Sequence, residues 1–480
     1  MSNDSSKKGE SVLILALGDI YWTRFALHLS NKLNDEGVNV VVVLESRVGE
    51  YQAYFKRCEY PNAKSYYLSD YFNSYKYENT LGSDVRRVMC DYLRVAMHGH
   101  KSKLLETDWN LVSSCISDFS AHVLESEDVG LIISDQVSTS LSYTFCEEAL
   151  SRKVDFWGLS GSRLPGRYVI AHTIASESEI VKKKYEEIIS GKNGITEDER
   201  GWAEDYIEKL DNQVPDYMRS ARLNKLSLGK FFNKIYLKII VGTLLYSLYE
   251  VKDKNAILIK TTPIVTILSS FAKNIKRWFK AKYIQKYFID DIKSTLAGKN
   301  YYIYPIHYQP EASTVVGCPF YTDQLNVITN LAFSLPMGAV LVVKEHVSNV
   351  GFPSNDFYQK VSSLPNVVLV WHEENIKQLI RGSNGVITLT STAGFEALLL
   401  DKPVYHFGDV FYTFHPNAVR LADWNKCREQ LLSHNTCSAY DNIAFLVAYR
   451  RCTYEGKIDF VKNDFGIAES ILEKIRLKWV

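Results

Sequence analysis

Along this chain short, fully apolar runs alternate with longer stretches whose apolar residues fall at helical spacing. Residues 11–17, SVLILAL, are one such run, and YWTRFALHLSNKLNDEG after it has helical spacing up to a stop at Gly37. VNVVVVLE (38–45) is the next run. Run, amphipathic stretch and run predict a β-α-β unit on a parallel sheet with a right-handed crossover. Residues 84–125 read as helical, VGLIISD (129–135) as a strand, 138–153 as a helix capped by Ser138 or Thr139, and VDFWGLS (154–160) as a strand. From about 175 to 295 the pattern changes to polar amphipathic helices followed by a basic segment. A second series then begins: strands at 301–308, 339–346, 366–371, 385–391 and, last, 403–408, with helices at 323–336, 392–401 and around NIKQLIRGS. An amphipathic helix, GIAESILEKIRLKWV (466–480), closes the chain. Strands alternating with helices in two blocks predict an α/β protein of two doubly wound, Rossmann-like domains.

Composition changes this picture little. The 480 residues are 46% apolar and 23% charged, which is ordinary for a globular protein. The 31 tyrosines suit a site that stacks rings and donates hydrogen bonds to a sugar, and equally a quirk of composition. Eight cysteines without a CxxC pair read as reduced thiols. The polar start MSNDSSKKGE lacks the apolar core of a secretory signal, so a cytoplasmic location is expected.

Charge is more informative locally than globally. The net charge is +1, yet residues 219–286 hold fifteen Lys and Arg against Glu250 and Asp253. Their interleaving with Phe, Tyr, Ile and Leu fits an interfacial helix at the inner face of the cytoplasmic membrane, or a basic surface over a helical insertion. No nucleic-acid-binding signature accompanies the charge, so nucleic acid is not an expected partner.

Ligands of open α/β sheets bind beyond the carboxyl ends of the strands, so chemistry is sought at the strand exits. His307, Gln309, Glu311, Ser313 and Thr314 crowd the first exit of the second block. Lys344 and His346 follow the next, suited to phosphate oxygens. Thr390, Ser391, Thr392, Gly394 and Glu396 follow a third, where a helix start offers N–H groups to a phosphate, Gly394 admits close backbone approach, and Glu396 reaches ribose hydroxyls; a plain N-cap fits the same residues. In the first block Asp135 is either a nucleophile or base, or a helix cap. Arg163 and Arg167 lie on a Gly/Pro loop that could clamp a carboxylate or phosphate. Asp290-Asp291 reads as a helix start. No metal-ligand spacing and no DxD triplet occurs, so no cofactor and no metal are expected.

The segments HYQPEAST (307–314), VVKEH (342–346), NVVLV (366–370) and TSTAGFEALLLDKPVYHFG (390–408) resemble the bacterial capsule polysaccharide biosynthesis family, which includes retaining β-Kdo transferases. The resemblance covers roughly residues 300–410. It implies a GT-B fold, with an acceptor-side domain over 1–175, a helical basic insertion over 176–295, a nucleotide-sugar domain over 296–465, and 466–480 crossing back to the first domain. It implies transfer of a sugar, a 2-ulosonic acid such as Kdo, from a CMP-activated donor to a glycan or glycolipid acceptor with retention. Gln309, Glu311, Lys344, His346, Thr390, Ser391, Thr392, Gly394 and Glu396 would be donor-site residues, Asp135 the nucleophile, and Glu311 or His307 the group that handles the acceptor proton or the sugar's hydroxyls. The family has Pro after Lys-Glu-His; Val347 stands here, which predicts a looser loop. A UDP- or GDP-hexose donor, a UDP-sugar epimerase of the same architecture and a non-catalytic membrane scaffold remain open on the residues alone.

Overall fold

The apolar runs become the central strands of two sheets in the computed structural model, which describes residues 10–17, 20–76, 84–97, 108–174, 177–218, 226, 233–250, 263–433, 438–458 and 465–479. The strands of the first block are β1 Ser11–Ala16, β2 Asn39–Leu44, β3 Ala63–Tyr67, β4 Val129–Asp135, β5 Asp155–Gly161 and β6 Arg167–Ala171. Those of the second are β7 Tyr301–Pro305, β8 Val340–Lys344, β9 Val367–Val370, β10 Gly385–Thr388, β11 Val404–His406 and β12 Ala418–Arg420, and β13 Thr453–Glu455 follows.

The first sheet runs β13-β6-β5-β4-β1-β2-β3, with β1 to β5 parallel and β6 antiparallel to both its neighbours, β5 and the edge strand β13. The second runs β12-β11-β10-β7-β8-β9 and is parallel throughout. Both are doubly wound and reverse direction beside their first strand, the first between β1 and β4, the second between β7 and β10. Two such domains in succession make the GT-B fold. The reversal points matter because they open the crevice in which such sheets bind ligands.

The domains are joined by more than a linker. One core cluster combines Leu164 and Val169 of the first sheet side with Ile303, Val342 and Val386 of the second sheet. Its remaining members include Val181, Tyr185 and Ile188 of the helix Ser178–Ile189, and Phe445 and Tyr449 of the helix Ala439–Arg451. After that helix the chain re-enters the first sheet at β13. Ile467, Ala468, Ile471, Leu472 and Ile475 of the helix Ile467–Trp479 then pack in the core cluster of β1, β2 and the helix Ile20–Asp35. Arg476 Nε donates to Glu36 at 2.8 Å along this seam.

Three features depart from the sequence pattern. β3 and its neighbouring helices Val48–Tyr54 and Leu68–Ser74 occupy a stretch without clear periodicity, because β3 is a half-exposed edge strand. Residue 167, expected on a loop, begins β6. β11 is not the last strand: β12 and β13 have three residues each, too short to show a period.

Candidate functional site

The reversal point of the second sheet brings together two of the three polar exits named above. His307 leaves β7 and Thr388 to Ser391 leave β10. His307 is 6% exposed and its backbone N–H and C=O are both held by the Gln324 side chain, at 2.7 and 2.9 Å. Its Nε2 lies 3.1 Å from Thr388 Oγ1 and 3.3 Å from the Thr390 N–H. Thr388 Oγ1 already accepts from the Ser391 N–H, so its own hydrogen is free for the imidazole. Two donors thus face Nε2, which fixes the neutral Nδ1–H tautomer. Burial, with His346 adding to it, pushes the ring down to about 3. His307 is thus a neutral brace between the two exits, its Nε2 occupied by Thr388 and Thr390.

Ser391 is the N-cap of the helix Thr392–Leu399 and accepts from the Ala393 N–H at 3.1 Å. Thr390 Oγ1 donates to the Ser313 carbonyl, tying the β7 and β10 exits a second time. Gly394 serves a different purpose from the one expected. A Cβ there would overlap the Tyr412 hydroxyl, which donates to the Ser391 carbonyl at 2.8 Å. The glycine admits a buried tyrosine rather than a ligand. Glu396 is 6% exposed and lies 3.5 Å from Lys377 Nζ, itself bound to the Leu210 and Gln213 carbonyls. A carboxylate expected at ribose hydroxyls is thus engaged with a buried lysine.

At the β8 exit, Lys344 Nζ donates to the His372 carbonyl at 2.8 Å. Burial lowers its ammonium to about 8, against the pull of Glu345, Glu374 and Glu396. His346 Nδ1 accepts from the Ser348 N–H, which leaves the hydrogen on Nε2. Burial, aided by Lys344, lowers this ring to about 4, so His346 donates a hydrogen bond but carries no charge at neutral pH. The loop is not loose despite Val347. Buried Glu345 accepts from the His346 N–H and from Asn349, and Arg277 holds the Ser348 and Val350 carbonyls at 3.0 and 2.9 Å.

Arg163 of the first domain and Tyr217 of the segment between the domains meet these exits. Arg163 forms an ion pair with Glu177 at 3.3 Å and lies over the Phe411 ring of the second domain. Its charge also reaches Glu311, whose carboxyl is raised by dehydration and lowered by the Ser313 hydroxyl and Arg163. Tyr217 contacts Thr392 Oγ1 at 2.5 Å and lies against the Gly161 position at the β5 exit. Arg167 does not join Arg163. Its guanidinium donates to Thr453 Oγ1 at 2.6 Å and to the Thr453 carbonyl at 2.8 Å, so it fastens β13 to β6. Gln309 lies in the same turn as Glu311, and its buried Nε2 has no hydrogen-bond partner among the described residues.

Asp135 ends β4 at the reversal point of the first sheet, and its Oδ1 accepts from the Gln136 N–H at 2.8 Å. The helix cap is Thr139 instead. Asp291 caps the helix Ile292–Leu296, in line with the helix-start reading.

One residue escaped the sequence reading. Glu45 follows β2, two strands from Asp135, so their backbones are roughly 10 Å apart at about 4.8 Å per strand. Burial raises its carboxyl to about 8, Asp91 adds to this, and Arg94 opposes it. Asp91 is committed to the Ser140 N–H at 2.8 Å and to Arg94 at 2.9 Å. The signal was present: VNVVVVLE ends an apolar run on an acid, at a strand exit like the others.

Residues 264–416 match the family described as capsule polysaccharide biosynthesis protein. The match spans the exits of β7, β8 and β10. Among curated proteins none matches this sequence. Solved structures offer weaker likenesses. The β-Kdo 2,4 transferase of Thermosulfurimonas dismutans KpsC is 12% identical, with 67% of this chain and 80% of that chain covered at a TM-score of 0.38. Its β-Kdo 2,7 transferase is 13% identical, with 68% and 78% covered at 0.35. The UDP-GlcNAc 2-epimerase of Neisseria meningitidis is 12% identical, with 98% and 100% covered at 0.27. At these scores the likenesses carry no functional weight.

Proposed function

We infer that this chain is a glycosyltransferase of capsule polysaccharide assembly, moving a sugar from a nucleotide-activated donor to a glycan or glycolipid acceptor. The observation that carries the reading is the capsule-family match over 264–416, which includes the reversal point of the second sheet. A CMP-activated 2-ulosonic acid such as Kdo is the donor in this reading, and configuration is retained.

The nucleotide phosphate then lies near the start of the helix Thr392–Leu399, where the dipole end favours an anion. Lys344 supplies the positive charge. His346 Nε2–H and the Gln309 amide supply neutral hydrogen bonds. Asp135 attacks the anomeric carbon as the bond to the phosphate breaks. The acceptor hydroxyl then displaces Asp135, and its proton passes to Glu311, whose raised affinity for a proton suits a base.

Thermal shift against CMP, CDP, UDP and GDP at millimolar concentration tests the donor, because a ligand of the folded state alone raises its stability. A rise with CMP alone is expected. A rise with UDP or GDP alone would replace the donor, and no response to any nucleotide would overturn the transferase reading in favour of a scaffold. The same titration against pH tests Lys344. Its charged form binds phosphate and is lost as pH rises through about 8. CMP affinity is therefore expected to fall roughly tenfold between pH 7 and 9, and Lys344→Met is expected to flatten that dependence.

A further inference from the structure

The helices Lys234–Tyr249 and Pro263–Ile284 are each fastened to the body of the protein along one side only. The first packs on the helix Val48–Tyr54. At Gly242 a Cβ would collide with the Tyr51 carbonyl, so the two backbones nearly touch. Thr243 and Tyr246 are buried beside it, Gln52 donates to Thr243 Oγ1 at 3.1 Å, and Arg57 pairs with Glu250. The opposite face carries Leu237, Val241 and Leu248, which are 49%, 46% and 70% exposed. These fall within an arc of roughly 40° at 100° per residue, and Lys234 borders them.

The second helix is held through Arg277, Lys280 and Ile284. Arg277 and Lys280 bind the carbonyls of Ser348, Val350 and Pro353, and Ile284 is fully buried. Roughly opposite lie Phe271, Phe279 and Tyr283, which are 44%, 63% and 50% exposed. Lys276 and Lys282 share that face, and Lys286 follows in the next turn. Lys282 lies 3.9 Å over Trp278 and Lys286 3.9 Å over Tyr283, so cations and rings form one surface. The two helices touch each other.

No helix among the described residues is long and apolar enough to cross a membrane. Exposed large apolar side chains bordered by lysines, in a segment of strong positive excess within a chain of net charge +1, have the chemistry of a face that lies on an anionic bilayer. We propose that these two helices dock the protein on anionic phospholipid. Rings and leucines enter the headgroup boundary while the lysines meet phosphate. The helices are fastened to different domains, so the bilayer would engage both halves of the fold. This stands apart from the transfer chemistry, and the failure of either leaves the other intact.

Flotation of the full chain with vesicles of phosphatidylcholine alone, or with 30% phosphatidylglycerol, tests it. Binding to the anionic vesicles at low salt is expected, with weak binding to the neutral ones and loss at high salt. Lys276→Gln/Lys282→Gln/Lys286→Gln is expected to weaken binding about 100-fold, at roughly fivefold per lysine. Leu248→Asp is expected to abolish it, with the thermal transition nearly unchanged because Leu248 is 70% exposed. Equal flotation with neutral and anionic vesicles, no flotation, or an unaffected triple variant would overturn the proposal. Retention by an anionic polymer such as heparin without vesicle binding would assign the patch to a polyanion instead.

Discussion

Gly394→Ala is expected to destabilise the protein by about 2–3 kcal/mol, although alanine is the better helix former by about 1 kcal/mol. The reason is local. The added methyl would occupy the place of the Tyr412 hydroxyl. Tyr412 is fully buried, edge-on to Phe411, and donates to the carbonyl of the N-cap Ser391. Neither group can retreat. Behind Tyr412 lies the shared core with Phe411, Phe445 and Tyr449, and Gly394 is held in a helix whose next residue, Phe395, packs into the same cluster. Chemical denaturation of the single variant and of the same change in a Tyr412→Ala background separates the causes. With the ring removed, Gly394→Ala should cost nothing or stabilise by about 1 kcal/mol. Equal losses in both backgrounds would show that the glycine answers to something other than Tyr412. Because Tyr412 braces Ser391, the single variant is also expected to weaken any CMP-induced thermal shift.

This glycine shows why some features were legible in the residues and others were not. Apolar runs bounded by polar exits carry their own period, so β1, β2, β4, β5 and all strands from β7 to β11 could be read directly. The partner of Gly394 stands eighteen positions away at Tyr412, and no local pattern announces it. The same holds for Lys377, which takes Glu396, for Thr453, which takes Arg167, and for Arg277, which stiffens the loop that Val347 was expected to loosen. The candidate exits were visible as polar density, but their roles depend on which neighbours remove them from use. His307 was chosen for its type, and only the positions of Thr388 and Thr390 show that its basic nitrogen is occupied. Arg163 and Arg167 looked equivalent four residues apart, yet β6 begins at Arg167 and holds it at the sheet edge, while Arg163 stays on the turn at the domain junction.

Glu45→Gln is expected to stabilise the protein while impairing transfer. The carboxyl has no hydrogen-bond partner among the described residues; burial raises it, Asp91 adds to this, and Asp91 is itself bound to Arg94 and the Ser140 N–H. Its folded value is about 8 against an ordinary 4.5. The folded state therefore holds a proton that the unfolded chain releases above about 4.5, and stability is lost as pH rises from there until it levels off near 8. Glutamine has no such proton. The variant should match the parent near pH 4 and exceed it at pH 8 by an amount of order 3 kcal/mol. Denaturation series at pH 5, 6.5 and 8 read this as a slope present in the parent and absent in the variant. Parallel series would mean that Glu45 is ionised in the fold. A group that costs stability at the carboxyl edge of a sheet, near the reversal point that holds Asp135, is the kind of residue retained for chemistry rather than for packing. At neutral pH it is a protonated acid that can hand a proton into the cleft, so Glu45→Gln is expected to lower transfer from a CMP-sugar roughly 100-fold. Full activity in the stabilised variant would confine Glu45 to a structural strain in the first domain and leave Glu311 as the sole carboxyl proposed for proton transfer.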